Sequence, residues 1–258
     1  MKISVITATY NSEKTLKDTL ESVLSQTYGD YEHIIIDGLS KDNTMCIVKE
    51  YEERYQGKLK YISEKDTGLY DAMNKGISMA TGDIIGILNS DDIYASKDIL
   101  NKIADKFSKT NCDGIYGNLI FMDEKTMSKP QRIWKSKKGK LSNGWHPAHP
   151  TLYLKKEVYN KIGKFNLKFR ICADYDFMIR MMLDKNIKLE YLDKYMVYMR
   201  VGGTSTDGIS GYIKNLKEAH KVLVHNKIKH PYIVDIKRII KTIYQMILSK
   251  IKKVDNKK

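Results

Sequence analysis

Acidic side chains are in short supply in this 258-residue chain: 31 Asp and Glu stand against 45 Lys and Arg, a formal net charge of +14. Cysteine is scarcer still, with only Cys46, Cys112 and Cys172, far apart and without a CxxC spacing. An odd, scattered set of thiols argues against a disulfide framework and a cysteine-based zinc site, and fits a reducing compartment. Glycine is missing where nucleotide-binding loops need it, because the turn after the first predicted strand, residues 8–14, has none. That removes the G-x-G-x-x-G fingerprint of a dehydrogenase; neither a P-loop nor the N-terminal glycine-rich loop of a sugar-nucleotide pyrophosphorylase is present. No apolar run approaches the ~18 residues of a spanning helix, and the apolar stretch after Met1-Lys2 is too short for a signal-peptide core. A soluble or peripheral, cytoplasmic protein is expected.

What is there is a rhythm. Short β-branched runs alternate with helical patterns through the first ninety or so residues, as in a parallel sheet covered by helices. Strands are predicted over 3–6, 33–36, 59–62 and 84–88. Helices follow at Leu16, Leu20, Val23 and Leu24, at Ile47, Val48 and Tyr51, and over 69–80. Asn11 or Ser12 is placed to cap the first of them. Beyond Asp92 the pattern loosens: a helix over 99–107, strands near 114–122, a basic stretch 135–140 read as a mobile loop, a helix over 175–183, and strands over 188–192 and 195–201. This order predicts one sheet, begun in parallel and finished by antiparallel strands, in one compact unit with a terminal appendage.

In open α/β sheets ligands sit beyond the carboxyl ends of the strands. Every predicted strand of the first half ends in polar residues: Thr9-Tyr10-Asn11, Asp37, Glu64 and Asp66, and Asn89-Ser90-Asp91-Asp92. Each has an ordinary reading alone. Asp91 or Asp92 could cap a helix or make an Asx turn, Asp37-Gly38 could be a plain turn, and Asp71 could be an acid complementing a helix dipole. Together they gather carboxylates at one edge, where like charges repel unless a cation joins them. Mg²⁺ or Mn²⁺ takes one or two carboxylates and leaves its other positions to water and phosphate oxygens, so a diphosphate would complete the shell.

The order of the motifs resembles family 2 glycosyltransferases. Thr9-Tyr10-Asn11 is followed by Asp37-Gly38-Leu39-Ser40-Lys41-Asp42-Asn43-Thr44, by Asp66-Thr67-Gly68-Leu69-Tyr70-Asp71-Ala72-Met73-Asn74-Lys75-Gly76, and by Thr81-Gly82-Asp83 leading to Asn89-Ser90-Asp91-Asp92. His146-Pro147, Thr151-Leu152, Gly163-Lys164-Phe165-Asn166 and Ala173-Asp174-Tyr175-Asp176 continue it, so the likeness covers about residues 1–206, with the capsule and colanic-acid type most similar. It implies an α/β GT-A fold, a Rossmann-like nucleotide-binding half with a mixed central sheet, plus a C-terminal helical extension. The expected division is 1–97 for the nucleotide sugar, 98–208 for the acceptor and base, and 209–258 for the extension. The implied activity is inverting transfer from a nucleoside-diphosphate sugar, UDP favoured, to a saccharide acceptor carried on a lipid, in surface polysaccharide synthesis.

By the same resemblance Ala8, Thr9, Tyr10, Asn11 and Asp37 line the base and ribose pocket, and Asp66 and Asp71 border the nucleotide or donor sugar. Asp91 faces the ribose beside the metal, Asp92 holds Mn²⁺ or Mg²⁺, Arg200 meets the diphosphate, and Asp174 is the general base. Displacement at the anomeric carbon independently asks for a base near the acceptor hydroxyl, although Asp174 could equally cap the helix that follows it. The chain departs from the family pattern at Ala173 and Asn89, where acids are usual, and lacks the histidine expected after Arg200; Gly202 and Gly203 could bring backbone N–H groups to a phosphate instead.

His146 and His149 remain open as metal ligands, acceptor contacts or loop residues, and Trp145 as a sugar platform or a core residue. The charge excess is concentrated in residues 212–258, where thirteen Lys and Arg face only Glu218, Asp235 and Asp255. Ile236, Ile239, Ile240, Ile243, Ile247 and Ile251 recur there at helical spacing, an amphipathic cationic helix over 233–253. It is suited either to an anionic membrane surface or to packing on the domain with a solvated basic face. Nucleic acid is the less favoured anionic partner, since it leaves the strand-end carboxylates unexplained.

Overall fold

The structure, a computed structural model, describes residues 1–202 and 208–251. Its elements run β1 (Ile3–Thr9), α1 (Leu16–Leu24), β2 (Tyr31–Asp37), α2 (Thr44–Tyr51), β3 (Leu59–Ser63), α3 (Leu69–Met79), β4 (Ile84–Ile87), β5 (Ile93–Tyr94) and α4 (Ile99–Lys109). They continue as β6 (Gly114–Met122), β7 (Pro130–Trp134), β8 (Tyr153–Lys155), α5 (Lys156–Ile162), α6 (Ala173–Leu183), β9 (Leu189–Arg200), α7 (Gly208–His225) and α8 (Pro231–Ile251). One nine-stranded sheet in the order β3-β2-β1-β4-β8-β6-β9-β5, with β7 also on β6, crosses the whole molecule. The strands β3, β2, β1 and β4 are parallel, β8 is antiparallel to β4 and β6, and β9 pairs in parallel with β6.

The continuous apolar runs of β1, β2 and β4 are explained by burial on both faces. Ile6, Ile34, Ile36, Ile85 and Ile87 point to a core shared with α3, α5, α6 and α7. Ile3, Val5, Ile35, Ile84 and Leu88 point to the opposite core, under α1, α2 and α4. Each such side chain fully removed from water contributes about 1.5–3 kcal/mol, which makes the paired cores the main source of stability. Gly76 brings α3 hard against β1: a Cβ there would stand 2.4 Å from Ile6 Cγ2. That close approach fixes where the first turn of α3 meets the rim of the sheet.

Several expectations are corrected. The two strands predicted over 188–192 and 195–201 are one, β9, whose pairing with β6 shifts register around Asn118. The β5, β7 and β8 strands and α5 were not foreseen; β5 and β8 have two and three residues, too few to show a period. No side chain caps α1, which starts at Leu16 with the Ser12 carbonyl, not its hydroxyl, receiving the Leu16 N–H. Within the basic stretch 135–140, Ser136 is buried and its carbonyl accepts from Trp145 Nε1.

Candidate active site

Because β3, β2, β1 and β4 run the same way, their carboxyl ends form one rim, and the register places Thr9 beside Asp37 and Asp37 beside Ser63. Three strand spacings make that row about 14 Å long. Polar residues that the sequence places after separate strands are thus brought onto one edge.

At the β2 end, Asp37 is fully buried. Its carboxylate accepts from the Ser40 N–H at 3.1 Å, from the Ser40 hydroxyl, and from Ser63 Oγ at 2.6 Å. In this arrangement Asp37 braces the turn carrying Gly38 and Leu39 instead of facing open space. Across the turn, Asn11 donates its N–H to Ser40 Oγ and accepts from the Lys41 N–H. Asn11 and Leu39 both have left-handed backbones, φ 50° and 62°. Asn tolerates this, whereas Leu is strained by its Cβ, and strain of this kind gathers at binding sites. Gly38 leaves room for its neighbours: a Cβ would stand 2.5 Å from Asp66 Oδ2 and 3.4 Å from Tyr10 Cδ2. Tyr10, Gly38 and Asp66 therefore meet at one point of the rim. Asp66 also accepts from the Gly68 N–H, and Asp71 folds back onto Thr67. Ala8 is buried at the end of β1, and Thr9 Oγ1 is buried with no hydrogen-bond partner among the described residues. Such an orphaned hydroxyl is the kind of group a ligand satisfies.

At the β4 end stands the acidic pair. Asp92 is fully buried; its Oδ2 accepts from Asn89 Nδ2 at 2.8 Å and its Oδ1 from the Arg200 N–H at 3.2 Å. Burial drives its carboxyl well above the usual range, and the neighbouring Asp91 charge adds to the effect. Asp91 is also raised, by burial foremost. Arg200 Nε lies 3.4 Å from the Asp91 carbonyl, but its guanidinium is already engaged, donating to the Glu124 carbonyl and to Asp18 on α1. Ser12 and Ser90 hydroxyls, 3.0 Å apart, tie this loop to the turn after β1.

The residues present fit a hard divalent cation. Two carboxylates whose charge is disfavoured by burial and by each other regain it beside such an ion, and each bonded oxygen of Asp92 keeps a lone pair. Among the described residues no group of three or more His, Cys, Asp and Glu forms a closed cage; Mg²⁺ and Mn²⁺ sites completed by substrate phosphates need none.

Asp174 lies in the first turn of α6, where no side-chain cap forms. The Tyr70 hydroxyl, from the first turn of α3, reaches Asp174 Oδ1 at 2.9 Å and the Ile171 carbonyl at 2.7 Å. This contact, 104 residues apart in sequence, ties the first turn of α6 to the first turn of α3, which also carries Asp71. Asp176 is fully buried and structural, pairing with Arg180 and accepting from Asn226. His149 is half-buried with its ring edge-on to Phe165, and the Asp174 charge partly offsets the lowering of its pKa by desolvation. His146 packs between Trp134 and Tyr175, where burial holds it neutral with a pKa lowered to about 3. Trp145 sets its edge on Tyr116, the core alternative. Gly202 lies beside Glu124, and Gly203 falls outside the described residues.

Tyr70 and Ser40 stand in the quoted motifs without a role in the site, and Ser63 was not singled out; Ser63 and Tyr70 meet partners 26 and 104 residues away, which no local pattern marks.

A parallel half-sheet continued by a mixed half, in which β8, β7 and β5 run antiparallel to their neighbours but β9 runs parallel to β6 instead of the antiparallel finish expected, with acids along the rim, is the glycosyltransferase fold of the GT-A type. Solved structures agree. TarS of S. aureus, residues 1–349 in complex with UDP-GlcNAc, superposes with a TM-score of 0.68 at 22% identity, over 87% of this chain and 66% of that one. This chain spans 39% of the longer TarS structure. The mannosyltransferase PcManGT from Pyrobaculum calidifontis, in complex with GDP-Man and Mn²⁺, superposes with a TM-score of 0.67 at 15% identity, over 96% and 73%. In sequence, residues 4–187 match the family model for glycosyl transferase family 2, and the chain belongs to that family. Among curated relatives, a PGL/p-HBAD biosynthesis glycosyltransferase of Mycobacterium bovis is 29% identical over 206 residues, 78% of each chain. An uncharacterized glycosyltransferase of Mycobacterium tuberculosis is 33% identical over 184 residues, 69% of this chain and 68% of its own.

Proposed function

We propose that the protein transfers a sugar from a nucleoside-diphosphate sugar, UDP-linked by preference, to a hydroxyl of a lipid-linked saccharide, with inversion, in surface polysaccharide or glycolipid synthesis at the cytoplasmic face of the membrane. One observation carries the reading: a fully buried Asp92, its carboxyl driven far above its usual pKa and the half-buried Asp91 beside it, shares a rim with a Thr9 hydroxyl that has no partner among the described residues. The nucleotide lies along Ala8, Thr9, Tyr10, Asn11 and the turn braced by Asp37, with Asp66 and Asp71 toward the donor sugar. Asp92, with Asp91 beside it, holds Mn²⁺ or Mg²⁺, which when bound offsets charge on the departing diphosphate. Arg200, anchored by Asp18, sets the position of the Asp92 loop and adds positive potential there.

Asp174 takes the proton of the acceptor hydroxyl as its oxygen bonds to the anomeric carbon and the bond from that carbon to the diphosphate oxygen breaks. Tyr70 holds the carboxylate for this step. UDP-GlcNAc in the TarS complex and GDP-Man with Mn²⁺ in the PcManGT complex support this class of donor.

A melting-temperature screen of UDP- and GDP-sugars with and without Mn²⁺ tests the reading, since a ligand bound only by the folded state stabilises it. A shift that requires both a nucleotide sugar and the metal is expected; none with any donor, under conditions where the protein is folded, sinks the proposal.

Tyr70→Phe removes the single O–H proton shared between the Ile171 carbonyl and Asp174; a hydrogen bond to a charged group is worth about 1.5–3 kcal/mol, and the shared one stands at the lower end. It is expected to lower kcat roughly tenfold or more while leaving the donor KM unchanged. A raised donor KM with unchanged kcat would take Tyr70 out of this role.

A further inference from the structure

The helix α8 is mounted the unusual way round. Its inward face is polar: Arg238 lies over the Tyr175 ring at 4.1 Å, Gln245 accepts from Arg132 Nε at 2.6 Å, and Ser249 donates to the Gln131 carbonyl at 2.7 Å. Only Val234 is a buried apolar anchor. The outward face is apolar. Tyr232, Ile236, Ile240, Ile243, Tyr244 and Ile247 are between 49% and 71% exposed, and eight of the seventeen exposed large apolar side chains among the described residues stand on this one helix. Isolated exposed apolar residues are ordinary, but a continuous stripe at helical spacing marks an interaction surface. The sequence analysis left two alternatives, a membrane face or a packed helix with its basic side in solvent. The helix does pack on the domain, yet what it turns outward is apolar.

We propose that the outer face of α8 docks on an anionic lipid leaflet. Charge complementarity selects that occupant. Residues 212–258 carry thirteen Lys and Arg against three acids; Arg238 and Lys237 are turned to the domain, but Lys250 is exposed on the helix, and Lys217 and Lys221 line the groove that Tyr232 shares. A second copy of the chain would bring the same excess of positive charge to the same stripe and be repelled, whereas anionic headgroups around an inserted apolar stripe are attracted. The surface extends sideways into an apolar groove of about 440 Å³ between α7 and α8, lined by Leu216, Tyr232 and Ile239 among others. A helix of this composition rests in the interface plane and does not cross it; no helix among the described residues is long and apolar enough to span a membrane. Through Arg238 the opposite side of α8 touches α6 next to Asp174, so a leaflet on the outer face lies about one helix diameter, roughly 10 Å, from the helix carrying the base. This inference rests on the lipid-linked acceptor proposed above for its purpose, though not for its measurement.

The test is co-flotation of the full chain with vesicles of phosphatidylcholine mixed with phosphatidylglycerol, and with pure phosphatidylcholine. The wild type is expected to float with the anionic vesicles only, less so in high salt, and Ile240→Asp/Ile243→Asp to lose at least about tenfold in partitioning. Both positions are exposed, at 59% and 52%, so the variant should keep the wild-type melting temperature; Tyr244→Gln is a milder second variant. No flotation, or flotation that these substitutions leave unchanged, overturns the proposal. So does light scattering that finds a dimer which the substitutions dissociate, since the stripe would then cover a second copy. Turnover on a soluble saccharide acceptor reads the catalytic proposal separately: turnover without flotation sinks only the lipid surface, and flotation without turnover only the chemistry.

Discussion

Asp92→Asn is expected to abolish glycosyl transfer and, in the same protein stripped of metal, to raise the melting temperature. The two effects share a cause. Asp92 is a fully buried carboxylate beside a second acid, and both circumstances push its pKa up. A carboxyl whose folded pKa lies above its unfolded value, about 4, adds stability at low pH and loses that contribution as pH rises through the folded pKa. The metal-free wild type should therefore become less stable as the pH climbs from about 4 toward neutrality and beyond. Asn has nearly the same shape, can still accept from the Arg200 N–H, and stays uncharged, so its stability should be flatter across that window. Melting curves in chelator from acid to mildly alkaline pH check the first half, with the variant expected about 3 °C or more above wild type at the alkaline end. Turnover checks the second half: losing a group that stabilises developing charge costs about 10²–10³-fold or more. A variant that melts below the wild type at alkaline pH without metal would remove the idea that this rim is strained until a cation arrives.

Asp174→Asn is the second large effect, confined to the chemical step. The substitution keeps an oxygen for Tyr70 but removes the basic site, so kcat should fall by about 10²–10⁴ while the donor KM stays within a few-fold. Steady-state kinetics with donor and acceptor varied in turn separates the two constants. A kcat within threefold of wild type would show that the proton leaves by another route.

The parallel half of the fold was legible because strands buried on both faces are mostly apolar and β-branched, the few polar residues inside β1 and β2 (Ser4, Thr7, Glu32 and His33) being buried too, and because acidic and amide clusters follow the strand ends. The later half was not: β5 and β8 are held by their neighbours, β4, β6 and β9, and carry no period of their own. Of the rim, the acids could be read in order. What the sequence could not convey is how they are engaged: Asp37 is closed off by Ser40 and Ser63, Arg200 is spoken for by Asp18 and Glu124, and Asp174 is reached by Tyr70 from another helix. The period of α8 was equally plain, but which side faces outward depends on the surface offered by β7 and α6, a tertiary fact.

The two-residue strand β5 closes the loop that holds Asp91 and Asp92, and among the described residues its one sheet partner is β9, the last strand in chain order; from β9 the Arg200 N–H also reaches Asp92. On the ribosome, then, the acidic loop emerges long before the segment that clamps it. A nascent chain can pair its first four strands, yet the backbone N–H of Arg200 that braces Asp92 arrives only after residue 200 has left the exit tunnel, so the acidic loop takes its final form late in synthesis.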